Sequence, residues 1–228
     1  MVQSIPMKNS TKNLILAVLM LAAPFAYAAY IYPSLPDTIP THFNISGEAD
    51  AYGGKDSIFL GPGIMAVTGL FVFFLLSNIK NIDPKRYKAT EDGMYKKFAL
   101  FTVAFLSLIS GIIVFSASSH SIDIGKLLLP ALGLAFAGFG GYMPKIHQNY
   151  FAGFKLPWTL ENEDNWNETH KLAGKIWMYG GFLQAIAALL LPNKAGFIVF
   201  FIITFIMVIV PTVFSYQMFK RGNTMNNN

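Results

Sequence analysis

Six runs of mostly apolar residues divide this sequence, and each is close to the length a helix needs to cross the roughly 30 Å hydrocarbon core of a bilayer. They cover residues 13–32, 58–79, 98–115, 127–142, 172–191 and 197–219. The composition agrees: 54% of residues are hydrophobic and 13% charged, about half the charged share of a soluble domain. A water-soluble core has no room for that much apolar surface. The expected fold is an all-α integral membrane protein, a single six-span domain over residues 1–228. The fourth run is short and glycine-rich, and its start extends as far back as Ile122.

The basic residues orient the spans. Lys8 and Lys12 precede the first; Lys80, Lys85, Arg86, Lys88, Lys96 and Lys97 follow the second; Lys145, Lys155, Lys171 and Lys175 follow the fourth; Lys220 and Arg221 follow the sixth. Only Lys55, Lys126 and Lys194 fall on the other side. The positive-inside rule then places both chain ends in the cytoplasm. The same bias accounts for the net charge of +5 without nucleic acid. The 80–97 loop mixes acids with its lysines and lacks interleaved aromatics, which suits anionic lipid rather than direct base contact. The first run also has features of a cleaved signal, with lysines before it and small residues at Ala26, Ala28 and Ala29. Its length, Pro24 and the late tyrosines Tyr27, Tyr30 and Tyr32 favour a retained span.

Inside the spans there is little to move ions with. Lys175 lies near a helix start, where its ammonium can reach the interface, and Gln184 is the main strongly polar residue at depth. Gly133, Ala137 and Gly141 in span four, and Gly181 and Ala185 in span five, form small-residue stripes for close helix packing, within one bundle in preference to a dimer. The absence of cysteine excludes disulfides and thiolate metal sites, and no cofactor motif is present.

Two loops hold more sequence than a connection requires. In the outer loop, 33–57, Pro33, Pro36 and Pro40 favour a stiff extended path, and Asn44 with Gly47 suits a turn. Asp37, His42, Glu48 and Asp50 have no metal-ligand spacing, so structural hydrogen bonding is the expected role. In the inner loop, 143–171, Pro157 breaks any preceding helix and Thr159 is placed to cap a new one, with acids at 161, 163 and 164 in its first turns. Trp166, His170 and Gly174 then share a helix face, and Trp158 with Trp166 suggests a helix lying at the membrane interface before span five. His170 with Glu161 or Glu163 lacks the pocket and partner geometry of an acid/base pair, so no enzyme site is expected.

The residues Met143-Pro144-Lys145, Gln148-Asn149 and Pro157-Trp158-Thr159-Leu160, followed by Trp166 and Gly174-Lys175, resemble the SdpI family of bacterial membrane proteins. The outer segment Tyr32-Pro33-x-Leu35-Pro36 through His42-Phe43-Asn44 and Gly47-x-x-Asp50 resembles the uncharacterised domain at the N-terminus of many of its members. The resemblance implies six spans and immunity to a secreted, membrane-active toxin peptide. In founding members it also implies capture of a cytoplasmic transcriptional repressor at the membrane. On that reading the candidate peptide contacts are His42, Phe43, Asn44, Asp50 and Lys55. The candidate docking or structural set on the inner side is Asn149, Lys155, Pro157, Trp158, Thr159, Glu161, Trp166, His170 and Lys175. Two other classes compete. A small-solute or lipid-handling channel or transporter requires a polar path past Ser107, Ser110, Thr204 or Gln184, and a membrane enzyme requires chemistry at His42 or His170.

Overall fold

A computed structural model describes residues 9–84, 92–118 and 123–226. It contains α1 (Asn9–Ile31), strands β1 (Thr38–Phe43) and β2 (Ala49–Gly54), α2 (Leu60–Ser77), the short α3 (Ile79–Ile82), α4 (Asp92–Ser118), α5 (Gly125–Tyr142), α6 (Pro157–Glu161), α7 (Glu163–Leu190) and α8 (Asn193–Asn226). Lys85, Arg86 and Lys88 of the basic loop, and the Lys8 end of the N-terminal tail, lie outside the described residues. Two compact units result, one of Met1–Asn44 with Glu48–Ile124, the other of Ile45–Gly47 with Gly125–Asn228.

Among the described residues, five segments are long and apolar enough to cross a membrane: Ser10–Ser34, Lys55–Ser77, Gly93–Ser118, Gly125–Lys145 and Asn193–Gly222. The expected span at 172–191 lies in α7 and is not among them. That helix starts with Glu163, Asp164, Glu168, Lys171 and Lys175, and buries Gln184 further on, which dilutes its apolar content.

In the first unit α1, α2 and α4 pack together. Pro24 lacks the N–H that would bond the carbonyl of Met20 within α1. Ser107 of α4 supplies the missing donor, its Oγ 2.5 Å from that oxygen. The segment after α1 is more than extended: β1 and β2 pair as an antiparallel hairpin, a small β addition to a helical chain. Pro40 is tolerated because a two-stranded ribbon leaves one edge of each strand unpaired. Ile39 and Leu35 anchor the hairpin by packing with Ala28, Ile58, Val114 and Ala117 at the ends of the helices.

In the second unit α5 and α7 approach backbone to backbone. A Cβ on Gly181 would stand 2.4 Å from the backbone N of Ala137 and the carbonyl of Gly133. The expected stripe is corrected at one position: Gly140, not Gly141, makes the close approach, because 3.6 residues per turn takes the face from 137 to 140. Apolar burial gives helices in lipid little reason to associate, so such close contact carries much of the packing. A second proline-freed carbonyl is satisfied here. Pro211 leaves Met207 without its helical donor, and the Trp177 indole N–H donates to that oxygen at 2.9 Å. At the other end of α7, Lys126 directs its ammonium at the carbonyls of Ala188, Leu189 and Leu191, closing the helix C-terminus.

Candidate functional site

Two structured segments hold the candidate residues, the hairpin with its base and the stretch from 143 into the first turns of α7, and their construction differs.

The hairpin is tied at its tip and its base. At the tip Asn44 and Glu48 bond each other through backbone and side chains (2.9 Å from the Asn44 N–H to the Glu48 carbonyl), and Gly47 takes φ 82°, the turn conformation expected of it. His42 and Asp50 pair across the ribbon at 2.5 Å, both largely exposed. The register slips on either side of His42, so the ladder is irregular where this pair stands. At the base Lys55 lies 5.1 Å from the Tyr32 ring centre and 4.0 Å from the Asp37 carboxylate, while the Tyr32 hydroxyl donates to Asp56. Of the expected set, His42, Asn44, Asp50 and Lys55 thus each hold a structural partner. Phe43 is a half-buried strand residue opposite Ala49. Among the described residues no group of three His, Asp or Glu is placed to hold a metal ion.

The 143–171 segment is a knot of buried hydrogen bonds. Asn149 uses its whole amide: Nδ2 donates to the carbonyls of His147 (2.7 Å) and Ala152 (3.2 Å), and Oδ1 accepts the N–H groups of Phe151 (2.7 Å) and Ala152 (2.8 Å). An Asn is suited to this because its side chain copies a peptide group. Gln148 Nε2 reaches the Thr159 carbonyl at 2.8 Å. The buried Thr159 hydroxyl accepts the Leu156 N–H at 3.0 Å and lies 2.6 Å from the Phe154 carbonyl.

His170 is buried, with its ring stacked on Trp166 at 4.1 Å. The Phe154 N–H can only donate, so His170 Nε2, 2.9 Å away, must be the acceptor. Nδ1 then carries the proton and donates to the Trp166 carbonyl at 2.7 Å. Gly153 makes room for this ring: its φ is 111°, and a Cβ there would stand 2.2 Å from Nε2. The Trp166 indole donates to the Ile146 carbonyl at 2.7 Å. Farther along α7, Gly174 accepts Pro144, whose ring would meet a Cβ at 2.7 Å.

Long-range bonds fix the knot to α8. Trp158 Nε1 donates to Ser215 Oγ at 2.8 Å, and its ring packs on Tyr216 and Phe219. Asn165 Nδ2 donates to the Ser215 carbonyl at 2.9 Å. Lys155, Pro157, Glu161 and Lys175 are exposed on the rim of this unit.

Two expectations about this segment change. Thr159 does not cap the helix that leads into 172–191: it lies in the first turn of the five-residue α6 and accepts the Leu156 N–H at that helix's start, and Asn162 caps α7 through the Asn165 N–H at 2.8 Å. Glu163 and Asp164 do sit in the first turn of α7, whereas Glu161 ends α6. The helix expected to carry Trp166 ahead of span five is not separate from that span's helix. α7 runs unbroken from Glu163 to Leu190, because no proline interrupts it and Gly174 is occupied by packing. Gly153, Phe154, Asn165 and Ser215 were not singled out from the sequence. Only the aromatic-glycine run at 151–154 hinted at a special turn.

Burial pushes the His170 imidazole down to about 4 from its usual 6.5, outweighing the bond to Trp166 that favours the charged form. A protonated Nε2 would also face the Phe154 N–H. The unfolded chain therefore binds a proton that the folded one refuses between these values, and folding stability falls as pH drops from 6.5 toward 4. The expected loss is about 3 kcal/mol at the lower end. Nitrogen NMR of the purified protein should show His170 as the neutral Nδ1–H tautomer at pH 5.5; an imidazolium there would contradict the geometry.

Of the polar residues expected to line a path, Ser107, Gln184 and Thr204 are engaged in hydrogen bonds, while the buried Ser110 hydroxyl and Gln184 Oε1 have no partner among the described residues. Ser107 bonds Met20. Gln184 Nε2 donates to the Phe200 carbonyl (2.9 Å) and to Thr204 Oγ1 (2.7 Å).

The comparisons align with these two segments. Residues 145–215 match the SdpI/YfhL protein family, a range that starts at the knot and ends at Ser215. Residues 19–66 match DUF1648, a domain of unknown function, and contain the hairpin. The chain is 21% identical to the Immunity protein SdpI of Bacillus subtilis (strain 168), over 93% of this chain and 98% of that protein. It is 27% identical to an uncharacterized protein of Archaeoglobus fulgidus over 31% of this chain and 39% of that one. No solved structure matches. With homology to an immunity protein along nearly its whole length, this multi-pass membrane protein is similar to the SdpI/YfhL family over residues 145–215 and to DUF1648 over residues 19–66.

Proposed function

We propose that this protein confers immunity to a secreted, membrane-active peptide, with the hairpin outside the cell as the contact surface and the 143–171 knot inside as a rigid docking or relay surface. The observation that carries the reading is the end-to-end homology to an immunity protein, with the hairpin and the knot both built as ordered units. In this reading α7 crosses the membrane as the fifth of six spans, its charged first turns at the cytoplasmic surface, and both chain ends are cytoplasmic. The lysine distribution supports that orientation. The hairpin presents an exposed charged pair, His42 and Asp50, and the exposed Tyr52 above the ends of the helices. A peptide that inserts into the outer leaflet would meet these groups first.

The knot has the properties of a docking surface because its exposed lysines and acids stand on a framework with few rotatable parts. A cytoplasmic repressor is the partner this surface would hold when peptide is engaged. Deleting the gene in the native host should make cells sensitive to a membrane-active peptide secreted by that host or its neighbours, with rescue by the wild-type gene. Cells equally resistant to every such peptide without the gene would remove the immunity reading. The orientation is checked separately. The chain has no native cysteine, so single cysteines at Ser46 and Asn167 are the sole labelling sites. An impermeant maleimide on intact cells should label the first and spare the second.

A further inference from the structure

Three membrane-length segments of the first unit end together. Ser10 begins one, Ser77 ends the next and Gly93 begins the third. Between these ends lies a hollow of about 420 Å³. Its position at span termini puts it at the depth of lipid headgroups, whichever way the protein is inserted.

We propose that this hollow binds the phosphate of an anionic phospholipid. Its two charged lining residues, Lys80 and Lys96, are both cationic. Lys80 extends from α3 just beyond the end of α2, and Lys96 from the first turns of α4, so the two charges converge from different elements. Ser10, Thr11 and Asn13 of α1 add hydroxyl and amide donors to the lining. Independent of those donors, the Ser77 hydroxyl borders the hollow, buried and without a hydrogen-bond partner. A buried hydroxyl left unpaired is costly, and a phosphate oxygen is an acceptor it would bond. The remaining wall is Asn78, whose amide donates to the Phe74 carbonyl at 2.8 Å, and the apolar Leu14, Phe73 and Phe74, the two rings set edge to face at 5.8 Å. Its apolar part runs toward the membrane interior, as an acyl chain leaving its headgroup would. A soluble phosphate has no use for such a wall, and this favours the lipid as the carrier of the anion.

The test uses the full-length protein in detergent, offered equal amounts of phosphatidylglycerol and phosphatidylcholine of matched chain length, with bound lipid read by native mass spectrometry. The wild type should retain phosphatidylglycerol selectively. The double variant Lys80→Gln/Lys96→Gln should retain it roughly thirtyfold less, the combined effect of two lysines near an anionic surface. Lys97→Gln, exposed and outside the hollow, should behave as wild type. Thermal midpoints of all three must agree, which separates lost binding from lost folding. Equal retention of the two lipids, or an unchanged double variant, would overturn the proposal. Displacement of the lipid by millimolar glycerol 3-phosphate would overturn the assignment to phospholipid, because a soluble phosphate would then suffice.

Discussion

Gly153→Ala is expected to destabilise the second unit by about 3 kcal/mol or more, a penalty on the scale of overpacking combined with backbone strain. The backbone at Gly153 lies at φ 111°, where an L side chain is disfavoured whatever the available space. The added methyl would also stand 2.2 Å from His170 Nε2. The ring has nowhere to go. It is stacked on Trp166 and held at both nitrogens, by the Phe154 N–H and the Trp166 carbonyl. Retreat would leave two backbone groups unpaired in a buried site. Adding His170→Ala to Gly153→Ala should recover part of the loss, since it removes the clash but not the strain. Denaturation of the detergent-solubilised protein, followed by tryptophan fluorescence, measures both steps. A Gly153→Ala variant as stable as wild type would show that the His170 geometry is not what holds the turn.

Two adjacent glycines should respond in opposite directions. Gly140→Ala puts a Cβ 2.4 Å from the Met178 backbone N and 2.8 Å from the Gly174 carbonyl. Backbone atoms cannot rotate away, so α5 and α7 must separate, and the other close contacts at Gly133, Gly174 and Gly181 loosen with them. A cost of about 3 kcal/mol or more is expected. Gly141→Ala meets nothing within 4 Å on an exposed face. There the higher helix propensity of alanine should leave the protein as stable or more stable by up to about 1 kcal/mol. Equal effects at the two positions would contradict the α5–α7 packing.

The apolar runs made most helices legible, because a span's length and composition are set by the bilayer and not by distant partners. The run at 172–191 was legible as helix but not its extent. Asn162 starts α7 ten residues earlier, and the charged turns that precede the apolar part belong to the same helix. In the outer loop the prolines and the Asn44–Gly47 turn were readable from local chemistry. The strand pairing with its slipped register was not, since it depends on which residues face each other. The small-residue stripe was read at four-residue steps, and that spacing placed it one position off, at Gly141. The candidate site divides in the same way. Trp166, His170 and Gly174 were recognisable as one face because they share a helix. The bonds of Trp158 and Asn165 to Ser215 join residues 57 and 50 positions apart, and no local pattern encodes them.

The central claim is that the hairpin meets a toxic peptide outside the cell. Survival of deletion cells under peptide challenge tests it most directly, with the gene supplied as wild type, as His42→Ala/Asp50→Ala, or as Trp158→Ala. Membrane amounts are matched by immunoblot. The account predicts survival with wild type and killing with the hairpin variant, whose exposed pair can be removed without disturbing the anchored Ile39 cluster. It predicts that Trp158→Ala, which loosens the knot on α8, still protects but fails to signal. Full protection by the His42→Ala/Asp50→Ala variant would contradict recognition at the hairpin's charged pair.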